Sequence, residues 1–215
     1  MLKKITLFFL WVSASTFGQC FDGFQIGSYH VVSIKSNGTL WGWGESDAGN
    51  LGNTNSINSS SFQIGSSTDW LKVSAGPYNT FIIKNNGTLW GCGSNQHGSL
   101  GVNSSNQNFT SFQQITIATN WVKVAPSYFY TIALKADGTI WGWGRNDNYQ
   151  TGNAPATLNQ PIPIQIGTDT DWVEIATGTS STSFAIKSNG TIWGWGSNTS
   201  SIIVSGSGTT TVSTP

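Results

Sequence analysis

The tetrapeptide Trp-Gly-Trp-Gly constrains this chain most, because it recurs. It stands as Trp41-Gly42-Trp43-Gly44, Trp90-Gly91-Cys92-Gly93, Trp141-Gly142-Trp143-Gly144 and Trp193-Gly194-Trp195-Gly196. The spacings are 49, 51 and 52 residues. A period near fifty marks a tandem array of one supersecondary unit.

Each copy follows a turn signal: Asn37-Gly38-Thr39, Asn86-Gly87-Thr88, Asp137-Gly138-Thr139 and Asn189-Gly190-Thr191. Asn-Gly and Asp-Gly suit the two positive-φ positions of a type I′ turn, so each unit is predicted to centre on a tight β-hairpin. Asn-Gly-Thr also matches a glycosylation acceptor, but the turn followed by a β-branched strand residue explains it. The strand before the turn is Val32-Ser33-Ile34-Lys35 and its counterparts. In the strand after it, Trp41 and Trp43 share one face, and Gly42 and Gly44 leave the other bare for a close neighbour.

Trp70-x-x-Val73-x-x-Gly76 opens the second unit, Phe21-x-x-Phe24-x-x-Gly27 matches it in the first, and Trp121-Val-Lys-Val124 and Trp172-Val-Glu-Ile175 open the third and fourth. Phe62, Phe112 and Pro163 begin a further apolar stretch. The units are then 21–69, 70–120, 121–171 and 172–215. Four antiparallel strands per unit, repeated, predict an all-β array of β-propeller blades. Pro163 lies 22 residues after Trp141, and Pro215 lies 22 after Trp193. The last unit is therefore expected to be incomplete and the chain to be part of a longer array. A complete four-unit protein is the alternative.

Residues 1–19 read as a secretory signal. Lys3 and Lys4 precede the apolar run Ile5 to Val12, and Ser13 to Gln19 is small and polar. A first β-strand is the competing reading. Cys20 follows directly; a lipid anchor there is the lesser alternative, because Gln19 is not the small residue such a site prefers. The expected location is secreted or cell surface, over a propeller array 20–215 with no transmembrane segment.

Charged residues are 8% of the chain, far below the roughly 25% of an average domain. Without Lys3 and Lys4 the chain carries 7 basic and 9 acidic side chains, a net charge near −2. No nucleic-acid partner is expected, since phosphate binding needs a basic patch. Two cysteines and two histidines without clustered spacing predict no metal and no cofactor. Cys92 stands where the other copies have Trp43, Trp143 and Trp195, as a small apolar filler. A Cys20–Cys92 disulfide is compatible with export, but nothing in the spacing requires it.

The pattern Trp-x-x-Val-x-x-Gly, then Asn/Asp-Gly-Thr-Leu/Ile-Trp-x-Trp-Gly, resembles the regulator of chromosome condensation repeat. Gly49-Asn50-Leu51-Gly52 and Gly98-Ser99-Leu100-Gly101 supply that family's Gly-x-Leu-Gly ending. Tyr149-Gln150-Thr151-Gly152 departs from it, and the fourth unit lacks it. The resemblance implies a seven-bladed ring, of which four units are a part. The family's eukaryotic founder is a chromatin-bound nucleotide-exchange factor; a neutral chain with an export signal and no recognisable exchange loop is not expected to share that activity. Exported bacterial relatives are a nearer likeness, and one group of them covers a β-lactamase with loops from one face. That implies a protein-binding platform.

Two aromatic sets compete for function. The tryptophans could form a sugar-binding ladder, but their strict period in a central strand favours packing between blades. Tyr29, His30, Tyr78, Tyr128 and Phe129 fall in the short loop between the first and second strands. They are the candidate binding residues, since aromatics concentrate at binding hot spots; loop packing is the competing explanation. Lys35, Lys84, Lys135 and Lys187 could form a ring that draws an acidic ligand, but solvated strand ends whose stems cover apolar surface explain them better. Asp47 and Asp147 lack paired carboxylates, and no nucleophile triad or phosphate loop is present, so no enzyme is expected. The expected function is a non-catalytic interaction platform with an unidentified protein partner. A carbohydrate-binding module with a glycan ligand, or a scaffold within a longer secreted enzyme, are the alternatives.

Overall fold

The computed structural model describes residues 21–153, 158–178, 181–203 and 211–215. The signal segment and Cys20 lie outside them. Four antiparallel sheets of four strands follow one another along the chain, each with its strands in sequence order. The first is β1 (Phe21–Ile26), β2 (His30–Lys35), β3 (Leu40–Glu45) and β4 (Ile57–Gln63). The second is β5 (Trp70–Ala75), β6 (Asn79–Lys84), β7 (Leu89–Ser94) and β8 (Asn108–Gln114). The third is β9 (Trp121–Pro126), β10 (Tyr130–Lys135), β11 (Ile140–Arg145) and β12 (Asn159–Ile166). The fourth is β13 (Trp172–Thr177), β14 (Thr182–Lys187), β15 (Ile192–Ser197) and a short β16 (Thr211–Val212). β16 pairs with Gly196 and Ser197, so an outer strand begins before Pro215.

β1, β5, β9 and β13 neighbour one another in turn and converge on one side. The sheets are thus propeller blades. The core lies between blades, because each blade buries its faces against the next. Val32, Leu40, Leu51 and Ile64 pack on Trp70 and Ile82. Phe81, Leu89 and Leu100 pack on Trp121, Ala133 and Trp143. Tyr130, Ile132 and Ile140 pack on Trp172, Ala185 and Trp195.

The hairpin turn differs from the expected type I′. None of Asn37, Asn86, Asp137 and Asn189 has a positive φ, while the following glycines lie between +76° and +85°. Gly38 N–H donates to the Lys35 carbonyl and Lys35 N–H to the Thr39 carbonyl. This is a three-residue loop, a turn closed by one left-handed glycine. The side chain decides it: the Asn37 Oδ1 accepts from the Thr39 N–H at 3.1 Å and from the Thr39 hydroxyl at 2.6 Å. The Thr39 hydroxyl in turn accepts from the Trp41 indole N–H at 3.0 Å. The same relay recurs through Asn86, Asp137 and Asn189 to Trp90, Trp141 and Trp193.

The lysines are less solvated than strand ends should be. Lys84 and Lys187 side chains are only 16% and 14% exposed. Each ammonium lies over the indole of its own hairpin: Lys35 over Trp41, Lys84 over Trp90, Lys135 over Trp141 and Lys187 over Trp193. Lys84, Lys135 and Lys187 also face Trp70, Trp121 and Trp172. The indole faces attract the cations electrostatically and hold them down.

Candidate protein-binding surface

In an up-and-down sheet, alternate connections emerge at the same end. The loops from first to second strand and from third to fourth strand therefore share one face of the blades. The second glycine of each Trp-x-Trp-Gly motif seats the shorter of the two. Gly44, Gly93, Gly144 and Gly196 have φ of +104°, +100°, +99° and +99°. A Cβ on them would overlap the carbonyl oxygens of Tyr29, Tyr78, Phe129 and Ser181. Those carbonyls accept from the N–H of Glu45, Ser94, Arg145 and Ser197 at 2.8–2.9 Å. The loop thus lies flat on bare backbone, with Tyr29 and Tyr78 exposed above it and Ser127 turned in.

On this face the aromatics meet. Tyr29 and Tyr78 have ring centroids 6.0 Å apart, Tyr78 and Tyr128 5.8 Å, and Tyr128 and Phe129 6.1 Å. The arc continues to His97, whose ring meets Phe129 at 5.2 Å. Tyr29 is 54% exposed and Tyr78 36%; Tyr128 and Phe129 are half-buried. Partial desolvation first, and then the neighbouring Tyr29 and Tyr128, hold the Tyr78 phenol above its ordinary value. The hydroxyl contact with Tyr29 and the charge of Glu45 act in the same direction.

Of the expected binding residues, the structure brings Tyr29, Tyr78, Tyr128 and Phe129 together and sets His30 apart. His30 is 1% exposed. It opens β2 with its ring turned into the joint between the first two blades, where its Nε2 meets the Thr80 hydroxyl at 2.8 Å. Burial lowers its pKa to about 4, so it is neutral. A surface ligand cannot reach it. His97 takes its place in the arc, held at 2.8 Å from Nδ1 to the Asn159 Oδ1. Its signal was its place just before Gly98-Ser99-Leu100-Gly101, in the long loop that shares the face.

The tryptophans hold the blades together. The Ser99 carbonyl accepts from the Trp143 indole at 2.8 Å and from the Thr131 hydroxyl at 2.9 Å. The Gln150 carbonyl accepts likewise from Trp195 and Ser183. The Asn50 carbonyl accepts from Thr80, with the Cys92 thiol 3.6 Å away. Cys92 is a free, buried thiol that burial keeps protonated. Tyr149 (φ +61°) reproduces the left-handed bend of Gly49 and Gly98, and Ser201 (φ +51°) does so in the fourth blade. The bend therefore survives where the Gly-x-Leu-Gly letters are lost, and in the third blade the joint survives with it. Among the described residues, no three His, Cys, Asp or Glu side chains cluster as metal ligands.

Comparison with known proteins agrees with this geometry. The profile described as "Regulator of chromosome condensation (RCC1) repeat" matches residues 70–99, 121–150 and 172–201, and a second profile of the same repeat matches 137–185. The first blade, unmatched by either, has the same strand register. Among solved structures, yeast RCC1 (Prp20) bound to Kap60 is 19% identical with a TM-score of 0.82, over 92% of this chain and 48% of that one. Human WBSCR16 is 18% identical with a TM-score of 0.77, over 88% and 49%. Prp20p from Saccharomyces cerevisiae, in a structure described with its binding to Gsp1p and histones, is 20% identical with a TM-score of 0.73, over 90% and 49%. The chain thus spans about half the length of these proteins. No curated protein matches it.

Proposed function

Because the chain belongs to the regulator of chromosome condensation (RCC1) repeat family, we propose that it is a non-catalytic platform that binds a protein partner through the aromatic arc on one face of its blades. The observation that carries this reading is the unbroken run of ring contacts from Tyr29 through Tyr78, Tyr128 and Phe129 to His97. Three successive blades contribute to it, and its side chains are not consumed by the core. Partly exposed aromatics in contact bury large area at low entropic cost when a partner covers them. That Prp20p binds Gsp1p and histones supports protein binding as a use of this fold, and names no partner for this chain. The indoles support a protein ligand over a glycan ladder, since Trp143 and Trp195 are wholly buried between blades. In this reading the four blades belong to a seven-bladed ring. The chain is exported, on the pattern of residues 1–19, and acts in a secreted or cell-surface setting.

The test is capture of extracellular proteins on the immobilised chain, compared with the triple variant Tyr29→Ser, Tyr78→Ser, Tyr128→Ser. Each aromatic hot spot is worth about 2 kcal/mol, so the variant should lose its partner while keeping its circular dichroism. A partner retained undiminished by the folded variant refutes the assignment of this face.

A further inference from the structure

We propose that the Tyr29–Tyr78 end of the aromatic arc receives an arginine side chain of the protein partner, stacked on the exposed rings and paired with Glu45 and Asp47. The inference rests on reading the arc as a protein-binding surface, and it names the chemistry of the group that docks there.

Charge is unbalanced at that end. Glu45 closes β3, and its N–H donates to the Tyr29 carbonyl at 2.8 Å. Glu45 is exposed, and so is Asp47 two residues on. The Glu45 charge reaches the Tyr78 phenol. Of the other described acidic side chains, Asp69, Asp147, Asp169, Asp171 and Glu174 each meet a cation, and Asp137 is bonded to Thr139 and Asn120. Among the described residues, Glu45 and Asp47 have neither an ion pair nor a side-chain hydrogen bond.

The third blade shows what completes such a turn. Arg145 and Asp147 stand at the positions of Glu45 and Asp47, and the Arg145 N–H donates to the Phe129 carbonyl as that of Glu45 does to Tyr29. The Arg145 guanidinium closes on Asp147 at 2.5–2.9 Å. In the first blade an acid replaces the arginine, and two carboxylates share the turn. Arg145 is the chain's one arginine, and it is committed. Every described lysine is committed too, over an indole or against a carboxylate or carbonyl. The missing cation has to come from another molecule.

The molecule joins the same three elements at the other end of its blades. Lys84 lies 4.6 Å from the Trp70 ring and 4.7 Å from the Trp90 ring, with Asp69 at 3.2 Å. Lys187 lies over Trp172 and Trp193, with Asp169 at 2.5 Å. Ring faces, a carboxylate and a cation form one unit there. The arc presents rings and carboxylates without the cation. A guanidinium suits it better than an ammonium, because it is planar, stacks on ring faces, forks onto carboxylates and is more weakly hydrated.

The test is an NMR titration of the full chain with the capped peptide Gly-Ser-Arg-Ser-Gly, with lysine or citrulline in place of the arginine as further arms. The arginine peptide should shift the Tyr29 and Tyr78 ring protons and the Glu45 carboxyl carbon saturably. Citrulline keeps the shape and loses the charge, so its peptide should leave them unmoved. The lysine peptide should bind several-fold more weakly. The double variant Glu45→Gln, Asp47→Asn should weaken the arginine peptide about fivefold, and Tyr78→Leu about threefold. Intrinsic indole fluorescence verifies that both variants stay folded. No shift at these groups, undiminished binding to the double variant, or equal binding of the lysine or citrulline peptide overturns the proposal. If the double variant captures a protein as the parent does while the triple tyrosine variant loses it, only the arginine inference falls. If neither variant alters capture, both readings fall.

Discussion

Ser94 donates its backbone N–H to the carbonyl of Tyr78 at 2.8 Å. That bond is possible because Gly93, near the end of β7 and beneath the loop, has φ of +100° and no Cβ to occupy the space. Gly93→Ala should therefore act twice. The left-handed backbone and the clash together should lower stability by about 2 kcal/mol or more. The loop should also shift and move Tyr78 out of the arc. Urea unfolding reads the first effect. Loss of the Tyr29–Tyr78 ring-current shifts in the NMR spectrum reads the second.

The second indole of the third motif and the first indole of the fourth should behave differently. Trp143 is fully buried and bonded to Ser99 in the neighbouring blade, so Trp143→Ala should cost about 3–5 kcal/mol, in the range of buried aromatic truncations. Trp193 is 41% exposed, and Trp193→Ala should cost about 1 kcal/mol, as a surface-side change does. Equal costs in denaturant titration would contradict the packing described between blades.

His30 makes stability depend on pH. Its folded pKa is about 4, against 6.5 for the unfolded chain. Between those values the unfolded state binds a proton that the folded state refuses. The contribution is thus whole above about pH 6.5 and is lost as pH falls toward about 4. The full loss is on the order of 3 kcal/mol. The difference in urea midpoint between the parent chain and His30→Gln, followed from pH 7.5 to 4, should show this slope; parallel curves would exclude it.

Thr139 links the turn to the indole. Its hydroxyl donates to the Asp137 carboxylate at 2.6 Å and accepts from the Trp141 N–H at 3.0 Å. The Thr139 hydroxyl is the first cause of a lowered Asp137 pKa. Thr139→Val keeps the shape and removes both bonds. It should cost about 1–2 kcal/mol and return the Asp137 pKa toward its ordinary value, measurable by NMR titration of the carboxyl carbon.

Much of the blade was legible because its signals are local. The period, the hairpin, the pairing of two indoles on one strand face and the need for glycine at Gly44 and Gly93 all act within a few residues. The turn type was less so. Asn-Gly favours two left-handed residues in isolation, but a threonine two positions on gives the Asn37 side chain two hydrogen bonds, and Asn37 stays out of the positive-φ region. In the candidate surface, Tyr29 and His30 were alike as letters in one loop. They part because adjacent residues at a strand start point to opposite sides, and the side given to His30 is covered by the next blade. His97 was missed because its loop is long, and only the meeting of two blades places it against Phe129.

The same seven residues, Gly-Thr-Ile-Trp-Gly-Trp-Gly, stand at 138–144 and at 190–196, and they fold into the same hairpin with the same turn relay. That much follows from the letters alone, since backbone sterics and side-chain-to-turn hydrogen bonds are short-range. Yet Ile140 is wholly buried and Ile192 is 71% exposed. Burial belongs to the neighbour: the fourth blade lies against Ile140, and no fifth sheet is among the described residues to lie against Ile192. Which identical side chain becomes core, and which loop aromatics join into one surface, is settled only when blades pack on blades.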